Sequence, residues 1–214
     1  SISGGYNHNY EIVTFPMTYH RQKREWSTLF KKLNSLCQEK KLYIEDVFDC
    51  SSNLSNGLHL HLSKEAFTEL PRNRDWHKNR FLAMINQWHK EYIDFITQIA
   101  RRPERISSNR FCGIHPSFEG KTLSRRLRSP VRGGHSSRYS AARETSQTVE
   151  LRVFQGIFNL NHILSSIEIA DCLFHFSREA PLSSYGKKFK RTFIDWVFNQ
   201  PGYRRAKKLI MEKK

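Results

Sequence analysis

Two short segments carry residue types whose spacing can do chemistry. In Gly57-Leu58-His59-Leu60-His61-Leu62-Ser63 and Thr148-Val149-Glu150-Leu151-Arg152-Val153-Phe154, polar residues stand two apart between apolar ones. Residues two apart in a strand share a face, so His59 and His61 point one way and Leu58, Leu60 and Leu62 the other. Glu150 and Arg152 repeat the arrangement. With the leucine face buried, the opposite face presents imidazoles, a carboxylate and a guanidinium together, a donor and acceptor set suited to metal and phosphate rather than to packing. The expectation is a polar site built on a sheet. Each residue also has a plain structural use: a half-exposed strand face for the two histidines, a cross-strand ion-pair network for Glu150 and Arg152.

The elements that must position such a site follow from periodicity. Tyr10-Glu11-Ile12-Val13-Thr14-Phe15 reads as a strand closed by Pro16, and a carboxylate at Glu11 in so apolar a strand needs either a metal or a salt-bridge partner. Trp26, Leu29, Phe30, Leu33, Leu36 and Cys37 have helical spacing, and 42–48 reads as a second strand. Ser63 is placed to cap a short turn beginning Lys64-Glu65-Ala66-Phe67. The longest regular stripe is Phe81, Met84, Ile85, Trp88, Tyr92, Phe95, Ile96 and Ile99, read as one core-facing helix ending near Arg101-Arg102-Pro103. From 101 to 147 periodicity vanishes and Arg, Ser and Gly dominate, the composition of a disordered loop or of a functional lid. Beyond the Glu150 strand, Asn161 is expected to cap a helix faced by Ile163, Leu164, Ile167, Ala170 and Phe174; Phe189, Phe193, Trp196 and Val197 mark another, and Tyr203 to Lys208 a short basic one. The fold expected is a single α+β domain over 1–214, an antiparallel sheet with polar strands on one face and helices on the other.

Charge constrains partners. The chain holds 36 Lys and Arg against 20 Asp and Glu, a formal +16, so its field favours polyanions such as nucleic acid, nucleotides or acidic polypeptides. Cys37, Cys50, Cys112 and Cys172 lie far apart with no C-x-x-C pair, which speaks against a zinc cluster or a disulfide framework and for reduced thiols in the cytoplasm. Cys112 and His115 read as packing and turn residues. No uninterrupted apolar segment could span a bilayer and no signal-peptide pattern opens the sequence, so no membrane partner is expected. The start at Ser1, close before the first strand, suggests that residues precede it in the full protein.

Four stretches, in order, carry a family likeness: Tyr10-Glu11-Ile12-Val13-Thr14-Phe15-Pro16; Gly57-Leu58-His59-Leu60-His61-Leu62-Ser63; Arg138-Tyr139-Ser140-Ala141; and Thr148-Val149-Glu150-Leu151-Arg152-Val153-Phe154-Gln155-Gly156, with the helix containing Glu168 behind it. In these the sequence resembles the amidoligase family, relatives of glutamate-cysteine ligase and glutamine synthetase that join a carboxyl group to an amine with ATP. The chain departs from that pattern in lacking the acidic strand and Asp-Gly-Ser-like turn that usually come first, in Asn9-Tyr10 before Glu11, and in Ala142-Arg143 where an Asn-containing segment is common. The resemblance implies a glutamine-synthetase-like catalytic sheet without its N-terminal strand, ATP and Mg2+ or Mn2+ as cofactors, and an acyl-phosphate intermediate. It implies Glu11, His59 and Glu150 as metal ligands, Arg152 on phosphate or acyl phosphate, and His61 orienting substrate. Arg138, with Arg126 and Arg128 of the Arg-rich segment, would close over nucleotide phosphates, because guanidinium forks bind phosphate bidentately. The basic surface suggests that one of the carboxylate and amine substrates is a large acidic molecule.

Two further readings compete. His59-Leu60-His61 also resembles the His-hydrophobic-His element of rolling-circle replication nucleases, and Tyr185-Gly186-Lys187-Lys188 supplies a Tyr-x-x-Lys spacing for a nucleophile. The third is a non-catalytic ligase-like module whose charge binds nucleic acid or an assembly partner.

Overall fold

The computed structural model describes residues 17–40, 57–68, 76–87, 90–101, 140–157 and 159–212. The expected strands over 10–15 and 42–48 lie outside these residues, as do Glu11, Arg126, Arg128, Arg138, Cys50, Cys112 and His115. Within them the chain is a mixture of helix and strand, in the order α1 (Tyr19–Lys40), β1 (Gly57–Ser63), α2 (Trp76–Ile85), α3 (Lys90–Ala100), β2 (Ala142–Glu144), β3 (Thr148–Gln155), α4 (Leu160–Glu179), α5 (Phe189–Asn199) and α6 (Arg204–Met211).

The sheet is antiparallel, in the order β1-β3-β2. The leucine alternation sets its sidedness: Leu60 pairs with Leu151 and Leu62 with Val149 on the inner face, while His61 pairs with Glu150 on the other. Leu58, Leu60 and Leu62 pack on the main core, and Leu58 also meets the Trp26, Phe30, Ile163 and Leu164 cluster where α1 lies on α4. The helices therefore take the leucine side. Much of the core is aromatic: Phe176, Phe189 and Phe193 are all buried, and the last two rings stack 5.4 Å apart. Burial of each such ring contributes about 1.5–3 kcal/mol.

Three readings of the sequence need correction. The stripe from Phe81 to Ile99 is two helices, not one: Asn86, whose N–H still donates to Leu82 O at 3.0 Å, turns its side chain to bond the backbone of Ala142 in both directions, at 2.8 and 3.3 Å, and the Tyr92 hydroxyl donates to the Ile85 carbonyl at the end of α2. A side chain that can satisfy a strand's backbone competes with helix continuation, which periodicity alone does not register. The cap of α4 is Asn159 rather than Asn161; its backbone is extended and its side chain accepts from His162 N, which places Asn161 inside the first turn. The segment 101–147 is not structureless throughout, because it contains β2. Ser63 does cap the turn at Lys64–Phe67, accepting from Glu65 N. The stripe ends where expected, with Arg101 in the left-handed conformation at φ 55° just past α3.

Candidate functional site

The site is built on the middle strand. Alternation puts Glu150 and Arg152 on the same side of β3 as His61 of the neighbouring β1, and the β2–β3 hairpin adds Arg143 directly opposite Glu150. Strict alternation would also send Phe154 to that face. It does not go there, because the register slips between Leu58 and Leu60: Leu58 faces Phe154 while Leu60 faces Leu151, so Arg152 and Val153 together oppose His59. This two-against-one bulge returns Phe154 to the core, and bulges re-aim side chains in this way beside functional sites. The Arg152 backbone N–H donates to Ala141 O at 2.8 Å, anchoring the bulge to the β2 side.

Glu150 is the hub. Its side chain is only 4% exposed, and three cationic or donor groups converge on it: His59 Nδ1 at 3.2 Å and Arg152 Nε at 3.5 Å from Oε1, and Arg143 Nε at 2.5 Å from Oε2. Burial alone would raise the carboxyl pKa. The hydrogen bonds from His59 and Arg143, with the charges of Arg152 and Arg143, outweigh it and hold the group at about 2 against an ordinary 4.5. Glu150 is thus ionised throughout the neutral range. His61 takes a different partner, its Nδ1 lying 2.9 Å from Thr148 Oγ1. With Nδ1 engaged in both rings, Nε2 is the nitrogen each histidine can offer to a ligand.

The structure gathers His59, His61, Glu150 and Arg152 on one face, as the spacing requires. It adds Arg143, which the sequence reading passed over. A three-residue strand has no periodicity to detect; the usable signal was the Thr145-Ser146-Gln147 turn, which predicts a hairpin and so sets Arg143 across from Glu150. A second cluster locks the hairpin down: Glu144 accepts from Lys64 and Lys78 at 2.8 Å each, and Lys64 also reaches Ser146 O at 3.1 Å.

Chemically, the described face suits an anion. One carboxylate stands between two guanidiniums, a donor-rich setting next to two imidazoles. It suits a magnesium ion less well, since that metal wants oxygen ligands and the one carboxylate here is already engaged. Among the described residues no group of three or more His, Cys, Asp and Glu is gathered to hold a metal, so His59 and His61 would need a further donor such as Glu11 from outside them.

Tyr185 belongs to the core. Its ring is buried, its hydroxyl donates to Ser177 O at 2.8 Å and accepts from Arg80 Nε at 3.1 Å, and burial raises its pKa against the opposing pull of Arg80. A nucleophilic tyrosine needs an accessible hydroxyl and an easily lost proton, and this residue has neither. Glu168, expected on the helix behind the Glu150 strand, accepts from Tyr19 and from the Arg205 and Ala206 backbone, a joint between helices. Cys37 and Cys172 are free thiols, and no helix among the described residues is long and apolar enough to cross a membrane. Compared with known protein families, curated proteins and solved structures, the chain finds no match.

Proposed function

We propose that the polar face of the sheet is the catalytic surface of an ATP-dependent carboxylate–amine ligase. The observation that carries this reading is the buried Glu150 beside Arg152, His59 and His61 on a leucine-backed strand pair, within two of the four stretches that resemble amidoligases, with Arg143 added from β2. When bound, ATP supplies the phosphoryl group that activates a carboxylate as its acyl phosphate, and Mg2+ or Mn2+ the charge that such a transfer demands. What the chain's own residues contribute is orientation and countercharge. Arg152, only 13% exposed, lies with Nε 3.5 Å from Glu150, and its guanidinium is the group assigned to a phosphate or carboxylate. Arg143, which is more exposed, provides a second such group from the hairpin. Glu150 fixes the His59 ring through Nδ1 and so aims Nε2 outward, and Thr148 does the same for His61. In this arrangement Glu150 positions the cations, and His59 is the stronger metal donor of the two. Arg138, Arg126 and Arg128 complete the proposal as nucleotide contacts from the Arg-rich segment, with a glutamine-synthetase-like sheet as the fold type.

The test is ADP release by the full chain with Mg2+ or Mn2+ and a pool of carboxylate and amine candidates. Substrate-stimulated release that falls at least tenfold in Arg152→Ala and His61→Ala, with far-ultraviolet circular dichroism unchanged, supports the ligase. Absence of both turnover and nucleotide binding overturns it.

A further inference from the structure

We infer that α1 and α6 form a surface that binds nucleic acid through its phosphates, on the helical side of the sheet and apart from the polar face. The 22 residues of α1 carry six Lys and Arg against two acids, and the 8 residues of α6 carry four against none. Together they hold a net +8, half of the chain's formal +16.

The two helices meet at one buried carboxylate. Glu168 Oε1 accepts from the Tyr19 hydroxyl and lies 3.5 Å from Arg205 Nη1, while Oε2 accepts from the backbone of Arg205 and Ala206 at 2.8 and 3.0 Å. The first turn of α1 is thereby joined to the first turn of α6. Lys23 stands one turn beyond Tyr19, and Lys208 one turn beyond Arg204, so the exposed cations of both helices run outward from a common junction.

Five of these ten cations reach a carboxylate, Arg205 that of Glu168 at 3.5 Å. Arg21 and Arg24 share Glu25 at 3.6 and 3.5 Å, Lys40 takes Glu39, and Lys208 reaches Glu212 only at 4.0 Å. Lys23, Lys31, Lys32 and Arg204 have no carboxylate partner among the described residues. Like charges held together in this way cost stability unless an external anion answers them. Between Arg21 and Lys40 the cations extend along about 28 Å of helix, at roughly 1.5 Å per residue. A ligand of that length and charge is a linear polyanion, and duplex DNA offers a phosphate about every 1.7 Å of its axis. An anionic membrane fits less well, because α1 and α6 expose only Leu36 and Met211 as large apolar side chains to insert. An acidic polypeptide would have to be ordered on the rigid array, a cost that a stiff duplex avoids. Contacts to phosphate carry no base information, so no sequence preference is expected.

The measurement is fluorescence anisotropy of the full chain with a labelled mixed-sequence 20-base-pair duplex, over a sodium chloride series. The variant Lys23→Glu/Arg204→Glu/Lys208→Glu should flatten the slope of log K against log salt by about 2.7, three phosphate contacts at about 0.9 each. The charge-matched control is Lys187→Glu/Lys188→Glu/Arg191→Glu, exposed cations at the start of α5. Lys207 Nζ reaches Gln200 O at 2.6 Å, which keeps α6 at the opposite end of that helix. The control should leave the slope near that of the parent, and thermal melts verify that both variants fold. Equal losses in the two variants would mean that net charge alone acts, and would overturn the assignment. Failure to bind the duplex at low salt, or competition by poly-glutamate or anionic vesicles as effective as that by unlabelled duplex, would overturn it as well.

Discussion

Glu150→Gln isolates the electrostatics of the sheet face. The carboxyl sits at about pH 2 in the folded chain against 4.5 for an ordinary glutamate, a difference on the order of 3 kcal/mol at about 1.4 kcal/mol per unit. Because the side chain is 4% exposed, solvent screening removes little of this. The sign follows from linkage: a depressed carboxylate contributes its full stabilisation above the unfolded value near 4.5 and loses it as pH falls toward 2. The amide keeps the shape and discards the negative charge that Arg143 and Arg152 face. Urea unfolding followed by circular dichroism should therefore show parent and variant separated by about 3 kcal/mol at pH 7. The gap should close progressively between pH 4.5 and 2, where the parent too becomes neutral at this position. Glu144, also held low by Lys64 and Lys78 against the effect of its burial, is present in both proteins and cancels. A gap below about 1 kcal/mol at neutral pH, or one that does not change with pH, would refute the account of Glu150 as an ionised hub.

Glu168→Ala should cost about 3–5 kcal/mol, since it strands two backbone N–H groups and the Arg205 guanidinium; hydrogen exchange at Arg205 and Ala206 should accelerate, and unchanged exchange would show that α6 docks by apolar contact alone. Tyr185→Phe should destabilise by about 1–2 kcal/mol by removing the acceptor for Arg80 and the donor to Ser177. It should leave any ADP release intact, whereas the appearance of metal-dependent cleavage of single-stranded DNA that this variant abolishes would restore the nuclease reading.

The parts of the fold legible in the sequence were those governed by local alternation and capping. The β1 segment is bounded by Gly57 and Ser63 as its leucine spacing requires, and the short turn after it takes Ser63 as its cap. What escaped was set by contacts distant in sequence. Asn86 ends α2 because Ala142, 56 residues later, offers both a donor and an acceptor. The bulge opposite His59 is invisible to a period-two pattern, since only pairing with β1 reveals that Arg152 and Val153 oppose one residue. For the same reason the polar face was found from four residues while Arg143 was missed: its role exists only once a three-residue strand folds back on Glu150.

Whether this face serves stability or a ligand turns on its charge balance. A buried ion pair seldom stabilises more than well-packed apolar residues of the same volume, so a network kept for stability alone would at least be neutral. Here one carboxylate, itself buried, is surrounded by two guanidiniums and an imidazole, more donors than a single ion pair needs. The donors around it also reach solvent, with Arg143 30% and His59 34% exposed, while the acid that holds them is buried. A buried anchor with exposed, pre-oriented donors lowers the ordering cost of binding an anion, because the side chains need not be immobilised when the ligand arrives. The face therefore has the donors and the rigidity that phosphate or carboxylate recognition requires. Removing Arg143 should accordingly weaken anion binding more than it weakens the fold.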